Sequence, residues 1–592
     1  MGFDYALVHI KYTIPPAVLL TFLYRPLFTR LDIYKIGFLI TVAVVSTIPW
    51  DSYLIRHDIW SYPSHVIIGP TVFDIPLEEV FFFVIQTYNT SLLYLILSKP
   101  TFQPVYLRSE KLVGHSHDPK PSQWPYYKLL GQLFFTAIIV TSALMINTGQ
   151  EATYAGLILV WATPFLLLLW TFAYQFILGL PISNTAIPIA LPTLYLWIVD
   201  TLALKRGTWV ISHGTTFGYH LWDGLEIEEA LFFLMTNMLI VFGQLAFDNA
   251  LSILYTFPNL FPDPPTLPSP SLLVRALLVP ASKYDPDRIR GLQDAVSRLK
   301  RKSRSFFLAS ATFQGQIRTD LLLLYSFCRV ADDLVDDAPS QEEASLWIER
   351  MRAFLQTAYE SEKSDTCPEE YVRKNFPPSV HSALLQLPIT KVSRKPLDEL
   401  LDGFDMDLAF SNKLSDHPIK EEADLDLYAQ RVAGTVALMC IALILHDYKS
   451  ILSKDDRARV LDAGNRMGIA LQCVNIARDI AVDAEMGRVY LPTSWIASAG
   501  LSYQSVLKTP HGTRIEKLRS KLLDKAFLLY EDSRGAIEAL PIEARAPLRV
   551  AVESYMEIGR MLRQEGYEVK AGRATVPMCR RLSVAWRALN HL

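Results

Sequence analysis

Cysteine is scarce in this chain and unevenly placed. The five present (Cys328, Cys367, Cys440, Cys473 and Cys579) all lie in the second half, and none forms a CxxC spacing. That excludes a disulfide scaffold and a zinc ribbon, and fits a reduced compartment. An excess of positive charge is also missing. Lys and Arg number 57 against 60 Asp and Glu, for a net charge of −3, which gives no footing for a nucleic-acid partner. Charge of either sign is thin, at 20% of residues against 51% hydrophobic, whereas a soluble chain is ordinarily more polar. No GxGxxG follows a strand-like run, so nothing argues for a flavin or a nicotinamide. Period-two alternation is nearly absent. What remains is an all-α chain of 592 residues, too long for one core and partly housed in a bilayer.

The apolar runs crowd into the first 250 residues. Spans are expected near 5–24, 33–49, 80–97, 129–147, 153–177, 182–199 and 229–247, each long enough to cross hydrocarbon. The opening MGFDYALVHIKY is not basic and has no small-residue cleavage site, so the first span is expected to be retained. Ala6 stands where a myristoylation signal wants Ser or Thr. The first loop carries Arg25, Arg30 and Lys35, and the third Lys99, Arg108, Lys111, Lys120 and Lys128. By the positive-inside rule these loops are cytosolic, the N-terminus is outside and the C-terminus inside. After Phe257 the stretch PNLFPDPPTLPSPS holds six prolines, which forbid a continuous helix and favour an extended spacer. The expected organisation is a membrane domain at 1–250, a linker at 251–282 and an all-α domain at 283–592. Within the last, the polar, proline-dotted segment 361–396 reads as a surface insertion.

The membrane half contains a repeat. DIPLEEVFFF at 74–83 is echoed by DGLEIEEALFF at 223–233. Aligning Trp50–Asp51 with Val199–Asp200 sets Trp60 on Trp209, and then Glu78–Glu79 on Glu228–Glu229 with one residue inserted. Phe82–Phe83 falls on Phe232–Phe233. Duplicated membrane units often share a site at their interface, and the topology puts both acidic pairs at the same non-cytosolic depth, where they could face one cavity. Two adjacent carboxyls at the edge of hydrocarbon cannot both ionise cheaply, which leaves a neutral acid with a proton to give. The neighbouring aromatic rings suit a cation made by that proton. A plainer reading of each pair is a helix start whose glutamates favour the positive end of the dipole, with phenylalanines facing lipid.

In the second half, YSFCRVADDLVDD at 325–337 sets Asp332 and Asp336 on one helical face. NIARDIAVD at 475–483 does the same with Asn475, Asp479 and Asp483. One such face alone could be solvated surface. Two, each beside an arginine (Arg329, Arg478), would hold Mg²⁺ (or Mn²⁺) and through it a diphosphate. Arg488 and the run KRKSRSF at 300–306 offer further phosphate contacts.

At these residues a resemblance becomes specific. SRSF (303–306), YxxCRxxDDxxD (325–336), VAGTV (432–436), NxxRDxxxD (475–483) and GRVYLP (487–492) make the second half similar to the phytoene/squalene synthase family. The resemblance implies an isoprenoid synthase fold that joins two prenyl diphosphates head to head through a cyclopropyl intermediate. It implies Asp332, Asp336, Asn475, Asp479 and Asp483 as metal ligands, and Ser303, Ser305, Tyr325, Arg329, Arg478 and Arg488 near the diphosphates. Tyr555, in ESYMEI, matches a cavity tyrosine. Gly434 would permit a helix break, and Ala437 departs from a second glycine common in the family. PLEEVFF and EIEEALFF resemble the small membrane lycopene cyclases of bacteria and fungi, which implies Glu78, Glu79, Glu228 and Glu229 as the acids and no cofactor for that half. The order of the halves resembles fungal bifunctional enzymes. Their substrates would be geranylgeranyl diphosphate and lycopene or related carotenes. A phytoene desaturase would be the pathway partner, and membrane lipid the surroundings. The expected location is the endoplasmic reticulum or another endomembrane, with the synthase half cytosolic. The rival readings are a squalene-type synthase using NADPH and, for the membrane half, a non-catalytic anchor or lipid carrier.

Overall fold

The structure, a computed structural model, describes residues 2–110, 123–148, 150–212, 214–360, 367–410, 417–449, 452–564 and 576–591. Lys111 and Lys120 of the third loop, and residues 361–366, lie outside these. The chain divides into two compact units, Met1–Ile289 and Arg290–Leu592.

Seven helices of the first unit are long and apolar enough to cross a membrane: Asp4–Leu27, Arg30–Arg56, Leu77–Ser98, Trp124–Asn147, Thr153–Gly179, Ala186–Leu204 and Ile227–Thr256. Each expected span overlaps one of them. Thr29 and Asp32 start the second with a reciprocal cap: the Asp32 N–H donates to Thr29 Oγ1 at 3.2 Å and the Thr29 N–H to Asp32 Oδ2 at 3.0 Å. Side-chain amides and hydroxyls join helices where hydrocarbon offers no water. Gln86 donates to Thr236 and Thr90 to Asn237, both at 2.8 Å, fastening Leu77–Ser98 to Ile227–Thr256. The two repeat units meet again outside the helices, where the Trp60–Ser61 strand pairs antiparallel with Val210–Ile211. Short hairpins, Thr71–Val72 with Ile75–Pro76 and His220–Trp222 with Leu225–Glu226, lead into the two glutamate-bearing helices.

Residues 251–282, read from sequence as a spacer, belong to this first unit. The last span continues to Thr256, and the prolines then break the helix. The apolar residues between them still bury: Phe257, Phe261, Leu273 and Ala276 join the core of the bundle, and Phe257 stacks on Tyr284 with ring centroids 4.9 Å apart.

The second unit contains helices and no strand among its described residues. An eighth long apolar helix, Glu422–Asp447, lies here, with Met439, Leu443 and Ile444 in this unit's core. The segment 361–396 departs from the surface insertion expected. Its described part forms the helices Pro368–Asn375 and Pro378–Leu385, whose Val372, Val380 and Leu384 enter the core together with Phe376. Polar residues outnumber apolar ones there, but the apolar ones share a face. Gly434 also departs from its expected reason. It ends a π-helical turn, Gln430–Gly434, inside Glu422–Asp447, yet its φ of −58° and ψ of −46° suit any residue. What glycine supplies is close approach. A Cβ there would stand 2.1 Å from Asn465 Oδ1, and one on Gly468 would stand 2.6 Å from the Gly434 Cα.

Candidate active sites

In the first unit a cavity is lined by Glu79, Asp200 and Glu229 among aromatic rings, including Trp60, Phe82 and Phe232. The two glutamates of each pair part company. Successive helical residues point about 100° apart, so one can face the cavity while the other faces back to the hairpin. Glu78 Oε1 accepts the Ile68 N–H at 2.7 Å, and Glu228 Oε1 accepts the Phe217 N–H at 2.7 Å. These first glutamates hold the loops that lead into the hairpins. Glu79 and Glu229 meet on the cavity wall.

Each cavity glutamate takes a hydrogen bond from the tyrosine that opens its unit's first helix. Tyr5 donates to Glu79 Oε2, and Tyr154 donates to Glu229 Oε1 at 2.5 Å. Glu79 Oε2 accepts a second bond, from Tyr62 Oη at 2.6 Å. Asp51 is fully buried with no hydrogen-bond partner for either carboxyl oxygen. Its repeat counterpart Asp200 lies within electrostatic reach of both Glu229 and Glu79. Sequence reasoning used Asp51 and Asp200 only as alignment anchors and missed all three tyrosines. A signal existed: Tyr5 and Tyr154 keep the same distance in sequence from Asp51 and Asp200.

In the second unit the two aspartate motifs lie on the helices Gln316–Asp336 and Lys454–Glu485. Arg488 follows the second helix, and its Nη1 meets Asp336 Oδ1 of the first at 2.8 Å. Arg329 binds Asp332 at 2.8 Å and Asp333 at 2.5 Å. Arg478 pairs with both oxygens of its neighbour Asp479, at 2.8 and 2.5 Å. Tyr555, on Ile542–Leu562, donates to Asn475 Oδ1, and Phe306 stacks on its ring at 5.1 Å. Ser303 caps Arg304–Ser310 and Ser305 is buried within that helix, so the SRSF segment reaches Tyr555 through Phe306. Tyr325, on the same helix as Arg329, lies within electrostatic reach of both Arg329 and Tyr555.

Asp407, on Arg394–Leu408, was not singled out from sequence. It is buried, accepts from Tyr490 Oη at 2.8 Å, and lies within electrostatic reach of Arg488 and Asp336. Nothing in its local sequence, GFDMDLAF, marks it out. Burial and the facing carboxyl of Asp336 push Asp332 up to about 7. Burial and Asp479 push Asp483 up to about 8. Burial pushes Asp407 up to about 6, against the pull of Arg488. Among the described residues no three carboxyl, imidazole or thiol groups converge into a finished metal cage. The donors present are all oxygen, several are carboxylate, and most are held by an arginine. That set suits a hard dication able to displace the guanidinium partners.

The first unit, with its acid-lined cavity, and the second, with its cluster of aspartates and arginines, each carry a candidate active site. Residues 299–580 match the squalene/phytoene synthase family. The chain is 65% identical to the bifunctional lycopene cyclase/phytoene synthase of Phaeosphaeria nodorum, over 100% of this chain and 99% of that one. It is also 65% identical to that of Pyrenophora tritici-repentis, over 100% of both, and 56% identical to that of Gibberella fujikuroi, over 100% of both. The chain belongs to the family of bifunctional lycopene cyclase/phytoene synthases.

Proposed function

We propose that this chain performs two steps of carotenoid biosynthesis. The second unit condenses two geranylgeranyl diphosphates to phytoene, and the first closes the open ends of lycopene into β-rings, towards γ- and β-carotene. The observation that carries this reading is the pairing, in one chain, of a carboxyl-lined aromatic cavity with a cluster of aspartates and arginines, two settings that suit carbocation chemistry by different means.

In the second unit, Asp332, Asp336, Asn475, Asp479 and Asp483 would hold Mg²⁺. Bound there, the ions would neutralise charge on the departing diphosphate. Arg329, Arg478 and Arg488 stand beside those carboxylates and offer fork-shaped donors to phosphate oxygens. Ser303, as the cap of its helix, and the buried Ser305 hold the segment that brings Phe306 to Tyr555. Tyr325, Tyr555 and Phe306 supply ring faces that exclude water and tolerate an allylic cation.

In the cavity, a carboxylic acid gives its proton to C2 of the ψ-end, leaving a cation at C1. The C5–C6 double bond attacks C1, and a proton lost from C6 completes the ring with no net redox change. The aromatic lining steadies the cation at C1 and then at C5. Glu78 and Glu228 act through the loops that they hold, which lead into the two hairpins.

The names of the relatives favour this reading over a squalene-type synthase with a passive anchor. The test is product analysis of the purified chain. Geranylgeranyl diphosphate with Mg²⁺ and no NADPH yields phytoene, and lycopene offered alone yields ringed carotenes. A product formed only with NADPH, or unchanged lycopene, would restore the rival. In this reading the protein sits in an endomembrane, and Lys99 and Arg108 of the third loop support a cytosolic second unit. A phytoene desaturase would supply the intervening steps there. Lys35, counted from sequence with the first loop, instead pairs with Asp248 inside the bundle. Protection of a C-terminal tag from protease in sealed microsomes would contradict that orientation.

A further inference from the structure

We propose that the two cavity glutamates have opposite duties, Glu229 as the acid that gives the proton and Glu79 as the base that collects one. This rests on the cyclase reading above and assigns its two proton transfers.

The asymmetry lies in the hydrogen bonds. Glu79 Oε2 accepts two phenolic hydrogens, from Tyr5 and from Tyr62. Glu229 accepts one, from Tyr154. The repeat position of Tyr62 is Ile211, on the strand that pairs with Trp60–Ser61, and isoleucine has no hydrogen to donate. A carboxylate that accepts several donors is held in its ionised form, while one with fewer donors retains its proton more readily in a dry site. The second donor therefore suits Glu79 to wait as an anion, and its absence suits Glu229 to wait as an acid. Both face the same cavity, so a single bound end group can meet both.

The balance closes. The Glu229 proton forms the C2–H bond, and the electron pair of C1=C2 is consumed, leaving C1 positive. The C5=C6 pair forms the C1–C6 bond and moves the charge to C5. Glu79 removes the C6 proton, and that C–H pair restores C5=C6. Glu79 ends protonated and Glu229 ionised. The proton returns across the cavity, on whose wall Asp200 lies within electrostatic reach of both. The position of the base then decides the ring. Loss from C4 instead would give an ε-ring, and loss from the C5 methyl would give an exocyclic double bond.

The experiment incubates the purified full chain with lycopene in D2O, and reads end groups and deuterium at C2 in both product and recovered lycopene. The unsubstituted protein gives β-rings carrying one deuterium at each ring's C2. Glu79→Gln still protonates. Its turnover falls about 100-fold, its rings shift to ε or exocyclic forms, and recovered lycopene carries deuterium at C2. Glu79→Asp keeps a base and returns β-rings. Glu229→Gln forms no ring and leaves lycopene unlabelled. The reverse pattern, or equal silence of both Gln variants without rescue by Glu79→Asp, overturns the assignment. Unchanged, unlabelled lycopene with the unsubstituted protein would instead defeat the cyclase reading itself.

Discussion

Arg488 Nη1 lies 2.8 Å from Asp336 Oδ1, across 152 residues of chain. The pair fastens the end of one aspartate helix to the turn after the other, with Asp407 beside both. Two motifs far apart in sequence are thereby joined.

Removing that cation leaves Asp336, Asp407 and Asp483 without the positive charge each lies within reach of. A charge-assisted hydrogen bond is worth about 1.5–3 kcal/mol, so Arg488→Ala lowers phytoene formation by about 10- to 100-fold. Lycopene cyclisation, measured on the same preparation, stays unchanged.

The raised carboxyls give the metal requirement a pH dependence. Asp332, at about 7, and Asp483, at about 8, are largely protonated at pH 6 and must lose those protons to bind a dication. The Mg²⁺ concentration for half-maximal phytoene synthesis therefore falls as pH rises from 6 to 8, and calorimetry in buffers of differing ionisation enthalpy detects proton release on binding. Without metal the sign for folding is opposite. These carboxyls ionise at lower pH in the unfolded chain, so they disfavour the folded state increasingly as pH rises from about 4 towards 8.

Lys35 and Asp248 form an ion pair buried in the membrane bundle. Asp248 also accepts from Tyr94 at 2.7 Å and Gln103 at 2.6 Å. Lys35→Met strands a buried carboxylate, at a cost of about 3–5 kcal/mol, and lowers the aggregation temperature of the detergent-solubilised protein. The double variant Lys35→Met with Asp248→Asn recovers most of that loss.

Gly468 lies against Gly434, where an added Cβ would come 2.6 Å from backbone. Gly468→Ala forces apart the helices that carry VAGTV and NxxRDxxxD, an overpacking cost of about 1–3 kcal/mol. Phytoene formation becomes heat-labile, while cyclisation keeps the temperature profile of the unsubstituted protein.

The spans, the repeat and the two aspartate faces were legible in sequence, because hydrophobic run length and four-residue spacing are local properties. Which glutamate of each pair faces the cavity was not. Neighbouring residues on a helix differ only in direction, and the loop before the hairpin claims Glu78 through the Ile68 N–H. Tyr5 and Tyr154 opened their helices without a motif, and Asp407 came from a helix with no signature of its own. The proline stretch was read correctly as a helix breaker. Its apolar residues were overlooked, and Phe257 and Phe261 bury in the bundle. The same oversight made 361–396 look like surface, although Val372 and Leu384 are core residues.

The most direct measurement assays both reactions in each of two single variants of the full chain, Asp332→Ala and Glu229→Ala, with helicity checked by circular dichroism. Two self-sufficient sites require that Asp332→Ala abolish phytoene formation and leave lycopene ring closure intact, and that Glu229→Ala do the reverse. Loss of both reactions from either substitution, in protein of undiminished helicity, would contradict them.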